Sequence, residues 1–299
     1  MKNKNDISGV ICALVPNIIF GFSFLFSKTA LNFAHPLIIL AVRFTVAFAA
    51  MFILRVIGVI KVNFKGKNVK MILLMSLMQP LLYFLLELYG LKGTSSALSG
   101  VITSLVPIGV IVLSAVFLKE KPTKLQIVCS VISVAAVAAV SLLAANGGGK
   151  TEVTACIMLI CAVVAASVFN ILSRGEAKNF SPVERTYMMF AVGAAGFDII
   201  APCVLREKFV PELLLACSHI EFWGAILYLS VASSVFAFLM YNYATSKIDA
   251  VRAASFSNII TVVSVFAGVV ILKEPLSILQ IILCVIIILS VWGVNRVKK

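Results

Sequence analysis

Apolar residues in this chain neither alternate nor return every third or fourth position. They run on for about 20 residues, give way to a few polar ones, and resume, which is the length a helix needs to cross a hydrocarbon layer. Ten such runs are readable: Ile7 to Phe26, Leu37 to Leu54, Met71 to Leu91, Leu98 to Leu118, Leu125 to Leu143, Val153 to Leu172, Tyr187 to Leu205, Phe222 to Tyr243, Ala253 to Leu272 and Leu276 to Val294. They are called spans 1 to 10. The loops between them are short and leave no room for a soluble domain. The opening MKNKNDISGV looks like the basic start of a signal peptide. The apolar run behind it is span-length without a small-residue cleavage site, so it is predicted to be the first helix.

The decapeptide LKEKPTKLQI at 118–127 returns as LKEPLSILQI at 272–281. An offset of 154 also pairs Phe84 with Phe238, Tyr89 with Tyr243 and Val131 with Val285. Earlier in each half the offset is 146, pairing Ser27-Lys28 with Ser173-Arg174, Pro36 with Pro182 and Phe44 with Phe190. The eight-residue difference falls in the loop between spans 7 and 8. Residues 1–145 and 150–299 therefore read as two copies of one five-helix unit, with 146–149 of the NGGGK stretch as a Gly-rich linker. Five is odd, so the second copy enters the membrane from the opposite face. The expected fold is an all-α integral membrane protein of ten transmembrane helices built as two inverted five-helix repeats. Secondary transporters use such repeats to expose one central site to either side in turn.

Composition agrees: 62% of residues are hydrophobic and 12% charged, against about 25% charged in soluble domains. The net charge of +13 lies in loops and forms no basic stripe, so no nucleic-acid partner is expected. Ten spans put both termini on one side. Of the 25 Lys and Arg residues, 18 fall on that side and six on the other, with Arg43 inside span 2. The positive-inside rule then makes both termini cytoplasmic, in a multi-pass protein of the cell membrane. Seven cysteines show no C-x-x-C spacing and no Cys/His cluster, so neither a metal nor another cofactor is expected. Cys203 and Cys217 flank one loop, the one place where a bridge fits.

The two segments LYGLKGTSSALSGVITSLVPIGVIVLSAVFLKEKPTKLQ and YNYATSKIDAVRAASFSNIITVVSVFAGVVILKEPLSILQ, with the opening helix IIFGFSFLFSKTAL and Arg43-Phe44, resemble the ten-helix EamA-type branch of the drug/metabolite transporter superfamily. The likeness covers nearly the whole chain. One departure is Thr261, where the second copy usually carries proline. The resemblance implies export or exchange of a small organic metabolite, often an amino acid, without ATP; no G-x-x-x-x-G-K-[ST] loop is present. The two functional readings are a secondary transporter working by alternating access, with proton coupling, and a passive facilitator of the same fold. No H-E-x-x-H or G-x-S-x-G motif suggests an enzyme.

Ionisable residues inside spans are the strongest single signals, because a central charge costs about 2.5–3.5 kcal/mol on insertion scales. Three stand out: Glu87 and Asp198 as candidates for proton coupling, and Arg43 as a structural charge. In spans 4 and 9, Ser96, Gly100, Thr103 and Pro107 share a helix face, matched by Ala250, Ala254, Ser257 and Thr261, with Ser104 and Asn258 beside them. Small residues let helices approach closely, and the hydroxyls could equally line a cavity. The candidate substrate contacts are Asn17, Tyr83, Glu87, Thr103, Asn170, Tyr241, Asn242, Ser257, Asn258 and Thr261. Each buried amide among them would serve equally well as an inter-helix hydrogen bond.

Overall fold

The computed structural model describes residues 4–92, 102–103, 105–119, 122–144, 153–263, 266 and 278–296. All regular structure among them is helical. In lipid this follows from chemistry, since a helix satisfies its own backbone N–H and C=O groups where water is absent. Six helices are long and apolar enough to cross a membrane: Ile7–Leu31, Pro36–Val56, Lys70–Gly90, Val153–Lys178, Pro182–Cys217 and Ile220–Lys247. Four shorter apolar helices, Val106–Leu118, Lys124–Ala139, Ala250–Val263 and Ile278–Val294, fall on spans 4, 5, 9 and 10. Each of the ten runs thus carries its helix. The linker 146–149, Ser96, Gly100 and Ser104 lie outside the described residues.

Local chemistry sets the helix starts. Span 2 begins at Pro36, with His35 Nδ1 accepting from the Leu37 N–H. Span 7 begins at Pro182 behind a capping box, in which the Ser181 hydroxyl accepts from Glu184 N–H while the Glu184 carboxylate accepts from Ser181 N–H. Proline suits the first helical position because its missing N–H would be orphaned there anyway. The sequence reading started span 7 at Tyr187 and left Arg185 in a loop; the box extends the helix and takes Arg185 into it. The loop holding the eight extra residues contains a short helix, Phe209–Cys217. Cys203 and Cys217 are both free thiols.

Span 8 widens midway into a π-helical segment, Tyr228–Phe236, and span 3 is kinked within Leu77–Leu82. The offset of 154 carries 77–82 onto 231–236, so both copies depart from the regular α-helix at the same place. In span 3 the cause is Pro80, which supplies no N–H and drives the preceding residue out of the helical region. Gln79 accordingly sits at φ −147° and ψ 122°. In span 8 the Ser234 hydroxyl donates to the Leu229 carbonyl, 2.8 Å away and five residues back, satisfying a carbonyl of the wide turn. Span 9 changes its winding at Phe256–Asn258, a 3-10 turn just ahead of Thr261.

Between the two sets of five, span 1 packs on span 8 and span 3 on span 6, while 2 meets 7, 4 meets 9 and 5 meets 10. Exchanging spans 1–5 with 6–10 returns the same set of contacts. The centre is aromatic: Phe44 touches Phe84, Phe190 and Phe197, and Phe238 touches Phe20, Phe169 and Phe190. Close approach is built in at Gly193 of span 7, where a Cβ would stand 2.7 Å from Pro80 Cγ. Large side chains such as Phe117, Val153 and Ile278 point outward, as lipid-facing positions do.

Candidate functional site

Arg43 is buried in span 2, and the widened turn of span 8 supplies its partners. Its Nε donates to Ser234 Oγ at 3.0 Å and its Nη2 to Ser233 Oγ at 3.3 Å. Ser23 of span 1 lies behind them, its hydroxyl 2.7 Å from Ser233 Oγ. The guanidinium also rests on the Phe84 and Phe44 rings, 4.7 and 5.3 Å from their centroids. Stacking on an aromatic face stabilises a cation by about 0.5–2 kcal/mol, more as water is excluded. One turn along span 3 from Phe84, Glu87 accepts a 2.7 Å hydrogen bond from the Tyr83 hydroxyl. The i, i+4 spacing of these two residues puts them on one helix face. Glu87 is near enough to act electrostatically on Arg43. Yet the ion pairs formed among the described residues are Lys67–Glu184 and Arg174–Asp249, and neither charge of this site joins one. Serine hydroxyls of span 8 therefore hold Arg43, and the Tyr83 phenol holds half-buried Glu87.

A second polar group lies within spans 6, 7 and 8. Tyr241, at the repeat position of Glu87, donates to Asn170 Oδ1 at 2.5 Å, and Asn170 in turn donates to the Ala166 carbonyl at 2.8 Å. Asn242 donates to Thr186 at 3.0 Å and accepts from Ser173 at 2.8 Å. Arg185 is fully buried beside them. It donates to the carbonyls of Ser173 and Asn242 and to the hydroxyls of Ser173 and Thr245, while its Nε finds no acceptor. Carbonyl and hydroxyl oxygens take the place of a counter-ion there, as buried guanidinium groups require.

The other expected residues divide. Asn17 is buried and donates to the Ala13 carbonyl of its own helix at 2.7 Å. Asn258 of span 9 donates to Ser133 of span 5 at 2.8 Å, which leaves its Oδ1 without a donor. The Ser257 and Ser130 hydroxyls are also buried and unpartnered, so this corner keeps hydrogen-bonding capacity in reserve. Thr103 and Thr261 are half-buried in spans 4 and 9. Asp198 lies on the exposed face of span 7 and accepts from Thr45 at 2.9 and 2.7 Å. Ser23, Ser233, Ser234 and Arg185 were not expected. A single serine in an apolar run carries no signal by itself, although the pairing of Ser233-Ser234 with Gln79-Pro80 through the offset would have marked that turn.

Comparison with known proteins agrees with these findings. The sequence profile of the EamA-like transporter family matches residues 7–142 and again 153–296. An uncharacterized transporter of Bacillus subtilis (strain 168), YcxC, is 34% identical over 99% of this chain and 95% of its own length. An uncharacterized transporter of Archaeoglobus fulgidus is 24% identical over 92% of this chain and 94% of its own. One solved crystal structure shares the fold with a TM-score of 0.76 at 17% identity, covering 96% of both chains. Ten apolar helices, the exchange-symmetric contacts and the doubled profile lead to one assignment: the chain belongs to the EamA-like transporter family and is a multi-pass membrane transporter.

Proposed function

We propose that the protein is a secondary transporter that exports or exchanges a small zwitterionic metabolite, such as an amino acid or a related compound, by alternating access coupled to protons. The observation that carries this reading is the pair Arg43 and Glu87. Opposite charges beyond ion-pair contact, each held by neutral hydroxyls, suit a ligand that brings a carboxylate to the guanidinium and an ammonium to the glutamate. Phe44, Phe84 and Tyr83 supply apolar walls of the kind small-molecule sites use around a few orienting polar groups. The hydroxyls that hold Arg43 come from the other half of the chain, so relative movement of the halves alters the site. Tyr241, Asn170, Ser257 and Asn258 are assigned as further substrate contacts in this reading.

Coupling is assigned to Glu87. It holds either a proton or the ammonium group of the substrate, and exchanges one for the other. Asp198, on the exposed face of span 7, takes no part in this scheme. The excess of basic residues on the side of the termini supports cytoplasmic ends in the cell membrane.

The test is transport by purified protein in liposomes offered a mixture of labelled amino acids. The expected result is uphill accumulation of one or more of them under an imposed pH gradient. Flux that runs only downhill and ignores the gradient would reject coupling and favour a facilitator. No flux of any amino acid would reject the substrate class.

A further inference from the structure

On the face that carries the termini, the loop between spans 2 and 3 reaches across to the start of span 7, in the other half of the chain. Its Lys67 donates to both oxygens of Glu184, at 2.7 and 2.9 Å. The Asn63 backbone N–H adds a third bond to that carboxylate at 3.2 Å, and Ser181 N–H, through the capping box, a fourth at 2.8 Å. Glu184 is 7% exposed and Lys67 33%, so the pair is partly shielded from water. The Lys67 ammonium also sits 5.1 Å from the Phe180 ring centroid, and Phe64 packs on Phe180 at 6.1 Å. Just inward, Arg55 at the end of span 2 donates to the Tyr187 hydroxyl at 3.2 Å and covers its ring.

The two loops do not pack tightly. They leave an open pocket of about 340 Å³ lined by Gly66, Lys67, Asn68, Asn179 and Phe180. Charge therefore joins this face beside apolar packing, in which buried Phe180 shares a core with Val62, Phe64 and Val69. The opposite face is joined differently, by Phe26 stacked on Tyr228 at 3.9 Å and Phe33 on His219 at 4.8 Å. The repeat position of Glu184 in the first half is Ile38, a buried apolar residue. Among the described residues, a fold whose helix contacts survive exchange of its halves thus ties the two halves ionically on the terminus-bearing face.

We propose that the Lys67–Glu184 pair is a charge latch that holds the terminus-bearing face closed and biases the protein toward that conformer. Such a device shifts an equilibrium only by its differential interaction with the two states. This pair is made when the loop lies on span 7 and is lost when the halves part. Its strength falls with ionic strength, because Lys67 is partly in water. The aromatic contacts of the opposite face have no such dependence.

Hydrogen exchange of the purified full chain in lipid nanodiscs tests this without any substrate, so the result stands apart from the transport reading. Glu184→Gln keeps an acceptor for the capping box and removes the charge; Lys67→Met removes the cation and leaves the cap untouched; Lys67→Arg preserves the pair. The amides of 61–69 and 176–186 are expected to exchange about three- to tenfold faster in the first two variants. Lys67→Arg should match the original chain, and 1 M salt should accelerate exchange in these two and not in Lys67→Met or Glu184→Gln. Should Glu184→Gln disturb folding, Lys67→Met decides. Unchanged exchange in Lys67→Met, or equal salt response with and without the pair, overturns the latch.

Discussion

A guanidinium in hydrocarbon needs acceptors for its N–H groups, and Arg43 takes them from two serines about 190 positions away. This makes the residue sensitive to shape as well as charge. Arg43→Lys keeps the charge but loses the planar fork that reaches Ser233 and Ser234 together. Transport by that variant is expected to fall about tenfold, the effect of roughly one charged hydrogen bond, with protein yield unchanged. Tyr83→Phe removes the hydroxyl that donates to Glu87 and is expected to shift the pH at which transport is half-maximal, measured as uptake rate against pH. Arg185 predicts a different outcome. Its bonds run within one half, among spans 6, 7 and 8, so Arg185→Ala should lower stability by about 2–4 kcal/mol, read by thermal unfolding in detergent. The sequence made Glu87 and Tyr83 legible, because their spacing places them on one helix face. It could not give Arg43 its partners, which lie in another element and resemble ordinary packing serines.

Among elements, length and apolarity sufficed to find the ten helices, because a bilayer sets one thickness for all of them. Their irregularities were less visible. The kink of span 3 and the π segment of span 8 lie within unbroken apolar runs, and Pro80 alone signals the first of them. Such single-turn widenings often occur at functional sites, and here the one in span 8 presents both serines to Arg43. The start of span 7 was misplaced by five residues even though Ser181-Pro182-Val183-Glu184 spells a capping box, because apolarity outweighed capping in drawing the boundary. The close contact of span 7 on the span 3 break also yields a prediction. Gly193→Ala would push a methyl to within 2.7 Å of Pro80 Cγ, and overpacking of this kind costs about 1–3 kcal/mol. Thermal unfolding should show that loss, while Gly224→Ala, which meets open space, should be close to neutral.

At the scale of the whole molecule, the helix pairs 1·8 and 3·6, with 2·7, 4·9 and 5·10, form a pattern unchanged when the halves are exchanged. Side chains break that symmetry. By the repeat Glu87 corresponds to Tyr241, Asn170 to Phe24 and Glu184 to Ile38, so one half carries the acid of the site and the other the carboxylate of the latch. The most direct check of the central account is counterflow in proteoliposomes. Vesicles loaded with unlabelled amino acids are placed in a trace of the same labelled amino acids, for the original chain, Glu87→Gln and Arg43→Met. The account predicts transient accumulation of label by the original chain and none by either variant. Accumulation at the original rate in both variants would contradict it.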